Sequence, residues 1–287
     1  MIEKKAEIKD KGTLYIVGTP IGNLEDMSFR AIRTLNEADL IAAEDTRHTR
    51  KLLSYYDIDT PMTAYHKFNE KEICGRLIDR LSGGDTIALV SDAGMPVISD
   101  PGYVLVAACR KANIDVRVVP GPNAAVCAVA LSGMNVRRFY FMGFLSKKNK
   151  TFREELEDIA KSAIPSVIYE SPHRIVKTLE AVKTLMPDRT ICISREISKQ
   201  HEETLSGNAE RLLDIFTEKQ PKGEFVVIID GAKENFKPDD ISALCEGDPT
   251  DHLLYYERMG MDEKEAMKKV AKDRGISKRD VYRILKV

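Results

Sequence analysis

Apolar residues along positions 13–144 fall into short blocks separated by amphipathic stretches. Segments 13–18, 39–44, 86–91, 116–120 and 138–144 are nearly continuous apolar runs, several rich in β-branched side chains, and each has the length of a strand. Between them, stretches such as RAIRTLNEA (30–38) and CGRLIDRL (74–81) repeat apolar residues every three or four positions, the spacing of a helix with one buried face. Alternating helices with strands apolar on both sides predicts a mostly parallel sheet covered on both faces. In such sheets ligands bind beyond the carboxyl ends of the strands.

Segment 145–165 is polar and basic at first and then helical, and leads into a second unit. There SVIYES (166–171), TICISREI (190–197), EETLSG (202–207) and EFVVIIDG (224–231) read as strands, with a helix over 175–186. The tail has a different pattern. Asp262 can cap a helix carrying Ala266, Val270 and Ala271 on one face, Gly275 breaks it, and Ser277 can cap a second with Val281, Ile284 and Leu285 as its apolar face. This is a helix-turn-helix pattern, although a solvated bundle or a dimerisation element would look the same. The expected organisation is a flexible terminus (1–12), a first α/β domain (13–144), a second α/β domain (145–231), a linker (232–250) and a basic helical module (251–287).

Composition adds exclusions. With 43% hydrophobic and 31% charged residues, the chain is an ordinary globular one, and no apolar run approaches the roughly 20 residues of a membrane span. The charged start MIEKKAEIKDKG has no signal-peptide character. Five cysteines are scattered without a C-x-x-C pair, which points to a reducing, cytoplasmic setting and away from disulfides or a metal site. Net charge is −1, so any nucleic-acid binding must come from local asymmetry. From 251 to 287 ten Lys/Arg face seven Asp/Glu, which makes the tail locally basic.

Five loops at strand ends are rich in Gly, Pro, Asp, Asn and Arg. GTPIGNLED (18–26) permits close backbone approach but is neither a Walker A loop nor G-x-G-x-x-G. In AAEDTRHTRKLL (42–53), Asp45 reads as a helix cap, while Arg47 and Arg50 could meet phosphate as bidentate donors. SDAGMPVISDPG (91–102) carries two Gly, two Pro and two Asp within one connection. PGPNAAVCAVALSG (120–133) places Asn123 before a small-residue helix. YESPHR (169–174) and SREISKQHEET (194–204) put Glu and Arg at strand ends. Together these loops predict a cleft that envelops a polar small molecule.

In this order, GTPIGNLEDMSFRA, EDTRHTRKLL, SDAGMPVISDPG, PGPNAAVCAVALSG, YESPHRI and SREISK-HEE resemble the bacterial ribosomal RNA small subunit methyltransferase I family of the tetrapyrrole-methylase superfamily. The resemblance spans about residues 13–231, and the basic tail is similar to that family's C-terminal module. It implies two α/β domains with a cofactor cleft between them and a small C-terminal helical module. The implied activity is methyl transfer from S-adenosylmethionine to the ribose 2′-oxygen of a cytidine in the decoding region of 16S rRNA, with the 30S subunit as partner, a homodimeric enzyme, and no metal or membrane. Carried over motif by motif, Thr19, Pro20, Asp92, Ala93, Gly94, Met95, Pro96, Asn123, Ala124 and Tyr169 line the cofactor, with Arg195 and Glu196 as looser assignments. Asp92 suits a neighbouring sulfonium cation. Asp100, before Pro101, is expected to cap the following helix. A general base would come from Glu170, His173, Asp45 or His48, and RNA contacts from Arg47, His48, Arg50, Lys147, Lys148 and Arg174. The ordinary methyltransferase G-x-G-x-G motif is absent. Two rivals fit the same residues: a methyltransferase for tetrapyrroles or another small molecule, with a dispensable tail, and a ligand-sensing regulator that binds duplex DNA through 262–287.

Overall fold

In the computed structural model, which describes residues 11–134, 136–218, 221–232, 244–245, 247–258 and 261–285, the apolar blocks form two five-stranded sheets. The first has the order β3-β2-β4-β1-β5, built from β1 (Thr13–Val17), β2 (Leu40–Ala43), β3 (Met62–Ala64), β4 (Ile87–Val90) and β5 (Asp115–Val119). Every pairing in it is parallel. All residues of β2 and β4 are buried, and successive side chains serve opposite faces. Leu40, Ala42, Ile87 and Leu89 pack with residues of α3 (Glu70–Ser82) and α4 (Tyr103–Lys111), while Ile41, Ala43, Ala88 and Val90 pack with residues of α1 (Phe29–Glu37) and α2 (Thr46–Tyr55). The continuous apolar runs are therefore the signature of a sheet covered twice. The short β3, with a Pro before it and a Met–Thr–Ala core, carries too little pattern to read from sequence.

The second sheet has the order β6-β7-β10-β8-β9, from β6 (Tyr140–Phe144), β7 (Ser166–Glu170), β8 (Ile191–Arg195), β9 (Glu203–Gly207) and β10 (Phe225–Ile229). It is mixed: β6 runs parallel to β7 and the other pairings are antiparallel. Helices α6 (Asn149–Lys161), α7 (Ile175–Leu185) and α8 (Ala209–Glu218) cover one face. The other face packs on α5 (Ala124–Leu131), where Ala125 and Ala128 meet Val167, Cys192, Val226 and Ile228. The strand over 138–144, grouped by sequence with the first sheet, thus pairs with the second. Both sheets lie in one compact unit ending at Ala232.

The second unit, from Lys233, holds α9 (Pro249–Arg258), α10 (Glu263–Arg274) and α11 (Lys278–Leu285). Asp262 caps α10 by accepting from Glu265 N–H, and Gly275 ends it in the left-handed conformation at φ 65°. Leu253, Tyr256, Ala266, Met267, Val270, Ala271 and Val281 form its core. Ile284, expected on the apolar face, is exposed instead. Residues 1–10 of the expected flexible terminus and most of the expected linker lie outside the described residues, while Gly12 is buried and its N–H donates to Leu81 O at 2.8 Å. Among the described residues no helix is long and apolar enough to cross a membrane.

Candidate cofactor cleft

Three loops at the carboxyl ends of the first sheet lock onto one another. Thr19 and Gly94 form an antiparallel bridge, each N–H donating to the other's carbonyl at 2.9 and 3.1 Å. A Cβ on Gly18 would lie 2.7 Å from Gly121 Cα and N and from Met95 Sδ, so only glycine lets the loops after β1, β4 and β5 meet. The connection 91–102 has unusual backbone. Gly94 (φ 79°), Val97 (φ 76°), Ser99 (φ 67°) and Gly102 (φ 139°) all occupy positive φ. For β-branched Val97 that conformation is strained, and such strain gathers at ligand clamps. The connection turns back on itself, with Val97 N–H donating to Pro101 O at 3.3 Å.

Beside this loop lies a cavity of about 420 Å³ between the two sheets, within the range of small-molecule sites. The first sheet contributes Glu44, Asp92, Ala93, Gly94, Met95, Ile98, Ser99 and Asp100, and the loop before α5 adds Asn123 and Ala124. The second sheet contributes Phe144, Tyr169, Glu170 and the segment Glu224–Val226. Tyr169 meets Phe141 and Phe144 edge-to-face, with centroids 5.1 and 5.5 Å apart. Asn123 caps α5 by accepting from Val126 N–H at 3.1 Å.

The cavity has an acidic wall. Asp92 Oδ1 accepts from Asp45 N–H at 3.0 Å, and the Asp92 N–H in turn donates to the Glu44 carboxylate. Burial, reinforced by Asp92, raises the pKa of Glu44. Asp100 does not cap α4: the cap position is Gly102, without a side-chain bond. The turn at Gly102 leaves the Asp100 carboxyl on the cavity, where burial first and the Glu44 charge next push it up to about 7, against a hydrogen bond from Ser91.

Of the residues expected at the cofactor, Asp92, Ala93, Gly94, Met95, Asn123, Ala124 and Tyr169 line this cavity together. Thr19 and Pro20 are buried behind it, and Thr19 supports the loop through Gly94 and Ser91 O. Pro96 is buried and off the lining. Arg195 pairs with Glu203 at 2.7 Å and Glu196 with Lys199 at 3.0 Å, and neither lines the cavity.

The candidate bases are placed unequally. Asp45 caps α2, accepting from Arg47 N–H at 2.8 Å and pairing with the Arg47 guanidinium, whose hydrogen bond holds its pKa well below the usual carboxylate range. His173 and His48 are exposed and off the lining. Glu170 lines the cavity but has both oxygens engaged, by Ser171 N–H at 2.8 Å and the Thr178 hydroxyl at 2.7 Å. Among the expected RNA contacts, Arg47, His48, Arg50, Lys147 and Lys148 are exposed, whereas Arg174 donates to Leu145 O and Ser146 O at 2.9 and 3.1 Å. Of the other lining residues, Ile98 and Ser99 lie inside SDAGMPVISDPG but were not singled out, and Phe144 and Val226 lie in strands that carried no motif. Val226 is set beside Tyr169 by the β10–β7 register, which needs the strand order.

The model of the Tetrapyrrole (Corrin/Porphyrin) Methylases family matches residues 13–213. The Ribosomal RNA small subunit methyltransferase I of Halalkalibacterium halodurans is 48% identical over 277 residues, covering 96% of this chain and 95% of that protein. That of Bacillus subtilis is 42% identical, covering 95% and 94%. The Thermotoga maritima protein of the same name is 44% identical over 220 residues, and 77% of this chain accounts for 99% of it. Among solved structures, cobalt precorrin-4 methyltransferase has a TM-score of 0.57 at 16% identity, covering 76% of this chain and 94% of that one. The uroporphyrin-III C-methyl transferase of Thermus thermophilus complexed with S-adenyl homocysteine has 0.56 at 18%, covering 76% and 97%. These structures share the fold. The chain belongs to the tetrapyrrole methylase family and, within it, to the ribosomal RNA small subunit methyltransferase I family.

Proposed function

We propose that this protein transfers a methyl group from S-adenosylmethionine to the ribose 2′-oxygen of a cytidine in 16S rRNA, acting in the cytoplasm on the 30S subunit. The observation that carries the reading is identity of 42–48% over nearly the whole chain with relatives named for that ribosomal RNA. Relatives that act on tetrapyrroles are similar at the level of fold alone, which does not transfer a substrate.

The residues of the cleft fit the methyl donor. A carboxylate wall of Glu44, Asp92 and Asp100 offsets the cost of bringing a sulfonium cation out of water. Ala93, Gly94 and Ala124 let backbone groups approach a nucleoside closely, and Tyr169 and Phe144 offer aromatic faces. When bound, the donor supplies the electrophilic methyl. The chain's part is to orient the acceptor oxygen in line with that carbon, to keep water out, and to receive the hydroxyl proton. Arg47 lies three residues beyond the lining Glu44, and Lys147 three beyond the lining Phe144, so two exposed basic segments begin at the rim. They suit a phosphate backbone, and binding should be strongly salt-dependent. Exposed Val118, Tyr140 and Met142 on the outer strands β5 and β6 support a homodimer.

The test is transfer of radiolabelled methyl to 30S subunits that lack the modification, followed by nuclease digestion. Label in a 2′-O-methylated cytidine is the expected result. Tight cofactor binding with no label in RNA would refute the ribosomal substrate and turn attention to small-molecule acceptors.

A further inference from the structure

We propose that Phe68, on the turn after β3 at the mouth of the cleft, is a stacking platform for a nucleobase of the substrate RNA, that of a nucleotide flanking the acceptor. The inference rests on the methyl-transfer reading above and deepens it by naming a contact to the RNA itself.

The platform grows out of the edge strand of the first sheet. Ala64 pairs with Ala43 of β2, and Tyr65 N–H donates to Ala43 O at 2.7 Å. The chain leaving β3 therefore runs beside Glu44, which follows Ala43 and forms part of the cavity wall. His66 and Lys67 are among the charged or titratable neighbours of Glu44 there. The next residues close a tight turn. His66 N–H donates to Asn69 Oδ1 at 2.8 Å, and the Asn69 side-chain amide donates to Ala64 O at 3.1 Å. The N–H groups of Asn69 and Glu70 both donate to His66 O at 2.9 Å. These bonds fix the backbone on either side of Lys67 and Phe68 and hold both side chains out at the tip, where Phe68 is 86% exposed. Lys67 Nζ stands 4.9 Å from the centroid of the Phe68 ring, and the His66 ring meets it edge-on at 6.1 Å. The cation–π contact steadies the ring from one side.

Exposure alone does not single out Phe68, since Phe29 and Tyr55 are exposed as well and scattered surface aromatics are ordinary. Its setting does. A ring already ordered on a rigid turn, beside a binding cavity, takes a flat partner with little further loss of freedom. Charge narrows the partner: Lys67 places an exposed cation next to the acidic wall. An RNA strand brings a π-face for the ring and a phosphate for the ammonium, and every base has a face to stack. Unpaired RNA segments are read in this way, with splayed bases laid on aromatic side chains. Phe68 does not line the cavity, so the base it takes lies outside while the neighbouring ribose reaches in. A second copy of the chain fits this face less well. Strands β3 and β5 are opposite edges of the first sheet, and the exposed apolar residues that support a homodimer lie on β5 and β6.

The experiment measures kcat and KM for methylation of 30S subunits by full-length wild type, Phe68→Ala, Phe68→Leu and Phe68→Trp, with calorimetric binding of S-adenosylmethionine and light scattering alongside. Tyr55→Ala, an exposed aromatic at the far end of α2, is the control. The inference expects Phe68→Ala to raise KM by about 5- to 150-fold, with kcat and cofactor affinity within about threefold of wild type. Phe68→Trp should retain the wild-type KM and Phe68→Leu should not. The chain has no tryptophan, so Phe68→Trp made with 5-hydroxytryptophan carries a unique fluorophore that can be excited apart from ribosomal tryptophan. Its emission should be quenched by 30S subunits at the concentrations that saturate methylation. An exposed position should leave the melting temperature within about 2 °C of wild type. Full activity in Phe68→Leu would overturn the inference and make the contact an ordinary apolar one to protein. A dimer lost in Phe68→Ala would reassign the residue to the subunit interface, and absence of quenching or an unchanged KM would overturn the inference outright. No transfer by wild type removes the ribosomal reading and this inference with it, whereas transfer with an unchanged KM in Phe68→Ala removes the inference alone.

Discussion

Removing the Glu170 carboxylate separates a structural clamp from a catalytic group. Glu170 is 2% exposed, and it holds the first turn after β7 through Ser171 N–H and the side of α7 through Thr178. Its charge also faces Arg174, which in turn holds the backbone of Leu145 and Ser146. Glu170→Ala leaves a buried hydroxyl and N–H unpaired and a largely buried guanidinium without its counter-charge. Breaking one side of a buried ion pair costs about 3–5 kcal/mol. The Arg174 side chain is 21% exposed and recovers some hydration, so the lower part of that range, about 3–4 kcal/mol, applies. At about 2–4 °C per kcal/mol for a unit of this size, the melting temperature should fall by about 6–16 °C. Glu170→Gln, which keeps shape and one acceptor, should lose about half as much. Scanning calorimetry with urea titration measures both. A Glu170→Ala protein within about 1 kcal/mol of wild type, yet devoid of methyl transfer, would refute the clamp and restore Glu170 as a base.

Asp100 gives a second, pH-dependent effect. Its folded value of about 7 stands above the ordinary 3.8, so between those values the folded chain holds a proton the unfolded chain has released. Stability therefore falls as pH rises through that window. The full shift would amount to about 4 kcal/mol, and solvent in the half-open cavity reduces it to about 1–2 kcal/mol. Asp100→Asn should gain that amount at pH 8 and nothing at pH 4 in melting experiments. Gly121→Ala places a Cβ 2.9 Å from Gly18 C and Cα. It should cost about 1–3 kcal/mol and weaken S-adenosylmethionine binding, as calorimetry would show. Arg47→Ala removes an exposed cation whose partner keeps its capping role. It should change stability by less than about 0.5 kcal/mol and lower the salt slope of RNA binding by about one, read by filter binding over a salt series. Gly275→Ala forces a Cβ into the left-handed cap of α10 without steric contact, and should cost about 1–2 kcal/mol, seen in hydrogen exchange of the C-terminal helices.

Much of the first sheet was legible because its strands are buried on both faces, so Leu40–Ala43 and Ile87–Val90 read as unbroken apolar runs. The loops of the cleft were legible for a related reason, since Gly, Pro and Asn mark where backbone does unusual work. What could not be read was placement across the chain. Tyr140–Phe144 has the same apolar pattern in either sheet, and only tertiary pairing with β7 decides which it joins. Asp100 before Pro101 fits a helix cap locally, and the turn at Gly102 that carries it to the cavity depends on contacts with Val97 and Leu89. Arg174 looks like a phosphate ligand in YESPHR until the backbone carbonyls it serves are brought beside it.

The crossing of α5 and β6 into the second sheet changes what kind of object the cleft is. The chain that precedes Lys147 supplies an edge strand and an entire covering helix to a sheet whose remaining strands come later. Without that strand and helix the second sheet would lack an edge and the cover of one face, so the walls of the cleft are fastened like a dovetail joint, and they cannot swing apart without tearing β6 from β7. A chain nicked at the exposed basic segment after Ser146 would stay assembled, its two pieces complementing each other as the halves of a split enzyme do.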